Sequence, residues 1–430
     1  MLTSSGTEQA GAPEGVTGTN FCAVTDKFDQ GNLFGPLDRA DLEWTCPTYI
    51  STETETWYTI IEDGAFVMCQ IIYSPIGIWN PQVQMTFKYH NPKTGKKVWK
   101  SVNVGKFQLQ EDRRSCKSEV FTITLKDCAD GGQEFDINAR LDDEVQLMLT
   151  FVRPASVPGW KLGNGPTGGM SYFGKDGDAN APAVKHRFWP FARTKGLVVI
   201  GGQALDAAGQ GCFVQALQGM RPNLVAARWN FAWFQSPELD GTSALLMEFT
   251  TTTDYGKVEQ SGKREPQVVT FGSVTSGGKL VSVVGATRSA LQPDDTPSLH
   301  SGTRVAHIER AFDSETSYEV PQAMQCSWDG AALIDNTAAP NTRVTAETKV
   351  QLGPPNAMNG LIDKVDILAE IPYVVRKVVN YVAGTKPYIY QTLNDVDLAL
   401  CLPDALKEGN QAGPAHIKGT LFEEHTFIST

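Results

Sequence analysis

The chain has 430 residues, 41% hydrophobic and 20% charged, with 40 glycines, 24 prolines and a formal net charge of −11. That is globular composition with length for two or more cores. An acidic chain without basic runs lacks the footprint of a nucleic-acid binder and would be repelled by a strongly anionic membrane, and no apolar run approaches the roughly 20 residues of a transmembrane helix.

Residues 1–35 read as a flexible tail, since MLTSSGTEQAGAPEGVTGTN has neither the charged start nor the apolar middle of a signal peptide. There is no Asn-x-Ser/Thr sequon. Of the eight cysteines, Cys116 and Cys128 bracket the run SEVFTITLK, whose ends lie beyond disulfide reach if it is extended. Reduced thiols in an intracellular, cytoplasmic protein are expected, with secretion after removal of a signal peptide left open.

Residues 36–195 carry the strand-like runs ETWYTII, AFVMCQIIY, QVQMTFKYH, SEVFTITLK, QEFDINA and VQLMLTFV, separated by turn residues such as Asn91–Gly95 and Asp130–Gly132. Short alternating runs with such punctuation predict antiparallel hairpins closing into a barrel or sandwich. The Gly/Pro-rich stretch from Pro154 to Pro182 is too long for a hairpin loop and reads as a domain junction or a lid. Residues 196–430 repeat the strand pattern from GLVVIGG to TLFEEHTFIS. One segment departs from it. Pro372 to Gly384 places Val374, Val375, Val378, Val379 and Val382 on one helical face, so an amphipathic helix is expected over 372–384.

Gly211–Thr250 concentrates the candidate site residues. A strand over Cys212–Gln218 leads into the corner Gly219-Met220-Arg221-Pro222, then a segment with Arg228, Trp229, Asn230 and Trp233, then an apolar strand over Ser243–Phe249. Aromatic faces with a few amides and guanidinium groups suit a pocket wall, though a plain core unit would use the same residues. Glu248 inside ALLMEFT needs a cation or several donors, for which Arg228 or Lys386 is available. No Gly-x-Ser-x-Gly, P-loop, paired CxxC or His-Glu-x-x-His occurs, and the six histidines are scattered, so neither a metal nor a cofactor is expected. Glu423 and Glu424 beside His425 read as a polar strand edge.

KHRFWP with His186, ALQGMRP, AARWNFAWFQ, SALLMEFTT followed by Tyr255-Gly256, DILAEIP, VAGTKPYIYQ and the closing TFIS resemble one fungal family, the oxidative-stress survival factors. LEWTCPTYISTETETWY and QIIYS extend the resemblance to about residue 38. It implies a mainly β fold of two tandem lipocalin-like antiparallel domains, here 36–195 and 196–430, around an apolar cavity. For typical members the implied ligand is ceramide, moved between membranes without vesicles. The chain departs from the family in its polar N-terminus, in Asn223 and Leu224 where typical members have paired histidines, and in Trp233 within NFAWFQ.

Fungal pericyclases, including hetero-Diels–Alderases, are similar in this two-lobed β architecture. Such chemistry needs only that an alkene and a heterodiene be held face to face, with a donor at the heterodiene oxygen. The expected function is therefore an intermolecular (hetero-)Diels–Alder cycloaddition of a terpene alkene with a quinone-methide-like heterodiene, the alternative being a non-enzymatic ceramide carrier. Arg228, Gln218, Arg221 and His186 are the expected donors. Trp189, Trp229, Asn230, Trp233, Glu248, Tyr388, Tyr390 and Gln391 are expected to line the substrate site. Expected partners are apolar small molecules or lipid, without nucleic acid or strong membrane association, and with a homodimer left open.

Overall fold

Strands with one apolar face bury it by pairing and curling. The computed structural model describes residues 19–75, 81–175, 178, 180–258, 263–291, 302–367, 386–407 and 413–429. Its main strands form two antiparallel sheets. The first is built from β1 (Thr52–Ile61), β2 (Phe66–Ser74), β3 (Gln82–His90), β4 (Lys97–Asn103), β5 (Phe121–Asp127), β6 (Gln133–Arg140), β7 (Val145–Arg153), β8 (Ala183–Ile200) and β9 (Gly209–Gln218). Their spatial order is β4-β3-β2-β1-β9-β8-β7-β6-β5. The second sheet is built from β10 (Arg228–Ser236), β11 (Thr242–Thr250), β12 (Gln267–Ser276), β13 (Lys279–Ser289), β14 (Arg304–Asp313), β15 (Tyr318–Ile334), β16 (Thr337–Gln351), β17 (Tyr388–Cys401) and β18 (Ala415–Phe427). Its order is β13-β12-β11-β10-β18-β17-β16-β15-β14, and Ser282 of β13 also pairs with Ala332 of β15, curling the sheet back on itself. The fold is mainly β, with each sheet curled into a half-barrel.

The chain passes from the first sheet to the second between Gln218 and Arg228, through the corner and the short helix α1 (Pro222–Val225), which has proline in its first turn. β8 runs without a break through residues 195 and 196 and hands on to β9 in the same sheet. Close pairing with β7 requires Gly196, where φ is +119° and a Cβ would lie 1.9 Å from the Met148 carbonyl oxygen. The start of the Gly/Pro-rich stretch is tied to both sheets. Trp160 stacks on Phe188 with ring centres 4.5 Å apart and donates from Nε1 to Ser273 of the second sheet at 3.0 Å.

Alternation gives every strand two destinations. In β1, Trp57 and Ile61 face the hollow of the first half-barrel, while Tyr58 and Ile60 face the second sheet. In β10, Ala232 and Phe234 face the second hollow, while Phe231 and Trp233 face the first sheet. Three apolar cores result: one in each hollow and one in the seam. Rings from both sheets fill the seam, with Phe66 and Phe422 at 4.2 Å and Tyr58 and Phe231 at 5.1 Å. Lys88 of β3 crosses it, donating to Asp363 at 2.9 Å and to Gln391 Oε1.

All eight cysteines are free thiols. The SEVFTITLK run is not one extended strand. The Ser118 hydroxyl accepts the N–H groups of Val120 and Phe121, the chain turns, and Cys116 pairs back against Ile123. The helix expected over 372–384 lies outside the described residues.

Candidate functional site

Strand alternation parts the candidate residues instead of gathering them. Trp229 and Trp233 lie on the seam face of β10, whereas Arg228 and Asn230 lie on the face toward the second hollow. Trp233 is fully buried, spends its indole N–H on Ser243 at 3.0 Å and packs 6.5 Å from Tyr58. Trp229 is half-buried and packs on Phe249 and His186 at 5.0 and 5.9 Å. His186 also meets Phe271, and burial, with the Arg187 charge beside it, holds its imidazole down at about 3. Gln391, in the seam, accepts from Lys88 and donates to Glu424 at 2.6 Å. Gln218 ends β9, half-buried, with its Oε1 unpaired, and Arg221 sits half-buried on the corner before α1. Trp189 belongs to neither group. It lies in the first hollow, 4.7 Å from Phe135 and 5.4 Å from Phe213.

The second hollow contains a belt of polar side chains. Thr270, Glu248, Asn230, His425 and Tyr390 are successive register partners across β12, β11, β10, β18 and β17. Glu248 is fully buried and accepts from Asn230 Nδ2 at 3.1 Å, from Thr270 Oγ1 at 2.6 Å and from the Val305 N–H at 3.1 Å. Its cation is Arg288, 3.5 Å away, and not the expected Arg228 or Lys386. Arg228 instead lies 3.4 Å from His307 Nδ1, and the Lys386 carbonyl accepts from Tyr318.

The carboxylate end fixes the polarity of the whole chain of bonds. A carboxylate only accepts, so Asn230 turns its NH₂ toward Glu248 and its oxygen toward His307 Nε2, at 2.9 Å. His307 then carries its proton on Nε2 and accepts from Arg228 at Nδ1. That is a neutral imidazole, and burial with the Arg228 charge pushes its pKa well below the ordinary value.

Glu423, His425 and Thr392 complete the belt. Far from forming an exposed strand edge, Glu423 and His425 are buried inside the hollow, while their neighbour Glu424 faces the seam, because adjacent strand residues take opposite faces. Burial pushes the Glu423 carboxyl up to about 8 and the His425 imidazole down to about 3, so both are neutral at neutral pH. Thr392 donates to Glu423 Oε2 at 3.2 Å. Glu423 Oε1 and both ring nitrogens of His425 have no hydrogen-bond partner. Tyr390 donates to Asp313 at 2.7 Å and meets Thr316 at 2.6 Å, and Tyr388 packs in the same core. Sequence reasoning missed His307, Arg288, Thr270 and the inward side of Glu423 and His425. The alternation Leu421, Glu423, His425, Phe427 was the available signal for the last pair.

Two curled half-barrels, one lined by a buried polar belt, define a β scaffold suited to holding a polar group on an apolar body. The Svf1 family model matches residues 2–429, and the chain belongs to that family. The ceramide-binding protein svf1 of Aspergillus fumigatus is 30% identical over 435 residues, covering 98% of this chain and 97% of that relative. The ceramide-binding protein SVF1 of Yarrowia lipolytica is 31% identical over 423 residues, covering 95% and 94%. Among solved structures, kievitone hydratase from Nectria haematococca aligns over 96% of this chain and 99% of its own at 9% identity, with a TM-score of 0.48. The relatives correct the expectation of a (hetero-)Diels–Alder cycloaddition, since proteins similar over their full length are named for binding a lipid. The composite wall behind that expectation is also divided, with the Trp229 and Trp233 rings in the seam and Arg228 facing the second hollow.

Proposed function

We propose that this chain binds ceramide or a closely similar neutral amphiphile, its polar head at the belt of the second half-barrel. The observation that carries this reading is the agreement among relatives, four of them 28–31% identical over nearly their whole length and all named ceramide-binding proteins. The chemistry of the belt supports it. A ceramide head offers hydroxyls and an amide without a charge, and an uncharged head loses less on leaving water than an ionised one. The neutral His425 imidazole and the protonated Glu423 carboxyl supply a donor and acceptors beside the mutually bonded His307 and Asn230. The unpaired atoms of His425 and Glu423 are those a bound head would satisfy.

The test is mass spectrometry of lipid extracted from protein purified from a ceramide-producing host. Ceramide at near-stoichiometric amount is the expected result. Recovery of no sphingolipid, together with no uptake of ceramide from vesicles, would refute the reading. His425→Leu should weaken ceramide binding about tenfold, the effect of one lost hydrogen bond to a buried head.

A further inference from the structure

The first half-barrel has buried polar side chains of its own, and a group of them carries unpaired atoms. Glu55 of β1 and Gln215 of β9 are register partners facing the first hollow, and both are fully buried. Both carboxyl oxygens of Glu55 and both amide heavy atoms of Gln215 lack a hydrogen-bond partner. So do the indole nitrogens of Trp44, Trp57 and Trp189, all three fully buried. The Trp44 ring lies close to the Glu55 carboxyl but short of hydrogen-bond geometry.

The gap is local, because two neighbouring charged groups are satisfied. Glu53, two residues away on the same face, accepts the N–H groups of Thr45 and Cys46 at 2.9 and 2.7 Å. Arg187, the register partner of Gln215 on the other side, is paired with Asp41 at 2.8 Å. Native interiors leave few buried polar atoms unpaired, and a cluster of them calls for an occupant that supplies both donors and acceptors. Burial and the neighbouring Glu53 raise the Glu55 carboxyl well above its ordinary value, so it is protonated and can donate. The set is then one carboxylic acid, one amide and three indole N–H groups, with no unbalanced charge. Phe135 and Phe213 pack against Trp57 and Trp189 and supply an apolar wall beside it.

We infer that the first half-barrel is a second binding site, which takes a neutral amide- or hydroxyl-bearing head of an amphiphile between Glu55, Gln215 and the three indoles. This goes beyond the reading of the second hollow and doubles the lipid stoichiometry of the chain.

Native mass spectrometry of the full chain titrated with short-chain ceramide tests it. The expected result is two lipids per chain in the parent and one in Glu55→Leu/Gln215→Leu, with the thermal midpoint of the variant at or above that of the parent. One lipid in both proteins would mean that water alone occupies the first hollow and would overturn the inference while leaving the second hollow's assignment standing. Two lipids in both would place the extra molecule elsewhere and overturn it as well. No lipid in either would sink the assignment of the second hollow along with this one. Should the double variant fail to fold, Trp44→Phe keeps the ring and removes one donor. It should weaken only one of the two binding steps, by about threefold to tenfold, and unchanged binding of both lipids would count against the site.

Discussion

Each half-barrel carries a row of polar side chains around its inside, and the two rows differ in how much of their bonding the protein itself completes. In the second, Arg228, His307, Asn230 and Glu248 form a directed chain whose carboxylate end also takes Thr270, the Val305 N–H and Arg288, while Glu423 and His425 keep atoms unspent. In the first, Glu55 and Gln215 face each other across adjacent strands, and their side-chain polar atoms have no hydrogen-bond partner. A connected network gives stability and a fixed geometry. An unconnected one costs stability until something fills it. Burial alone therefore says little about the role of a polar residue in a β-barrel, and the count of its unsatisfied atoms says much more.

The largest expected effect falls on the seam that both half-barrels share. Phe231→Ala removes the ring stacked on Tyr58 and should cost about 3–5 kcal/mol in denaturant unfolding. A loss below about 1 kcal/mol would show that the two half-barrels hold themselves up independently.

Substitution of one buried glutamate from each belt tests the comparison directly. Glu248→Ala strands Asn230, Thr270, the Val305 N–H and Arg288, and should cost about 3 kcal/mol. Glu55→Leu strands nothing and should change the stability of the lipid-free protein by less than about 1 kcal/mol, in either direction. Equal costs would erase the distinction between the belts.

The smallest effect is a change of slope with pH. Glu423 titrates near 8 in the folded chain against an ordinary 4.5, so between those values the folded state holds more protons than the unfolded one. Stability therefore falls as pH rises through that window. His425 titrates near 3 against an ordinary 6.5, so its contribution rises with pH up to 6.5 and opposes the fall below that point. Above 6.5 only the Glu423 slope remains of the two. Glu423→Gln should make the decline between pH 6.5 and 8 shallower than in the parent, and identical slopes would contradict the protonated carboxyl.

Much of the fold was legible in the chain. Runs such as QVQMTFKYH and SALLMEFTT carry the period-2 pattern, and their turns are marked by Asn, Asp and Gly. The site was less so, for a reason present in the same pattern. RWNFAWFQ invites grouping of Arg228, Trp229, Asn230 and Trp233 by proximity in sequence, but period 2 sends neighbours to opposite faces. Glu248 was recognisable as a buried carboxylate, yet its partner Arg288 lies two strands away, on β13. His307 enters from β14, at the far edge of the sheet order, which no local pattern announces. STETETWY did carry a signal that was passed over. Glu53 and Glu55 share a face with Trp57, which is an unusual place for two carboxyl groups.

The neutrality of the unspent groups in the second half-barrel is tested most directly by comparing affinities for ceramide, for sphingosine, which bears a cationic amine, and for ceramide phosphate, which bears an anion. The His425 and Glu423 groups left unspent are uncharged and should favour ceramide over both charged counterparts by at least about tenfold at neutral pH. Equal or tighter binding of either charged lipid would contradict a site built from neutral imidazoles and a protonated carboxyl.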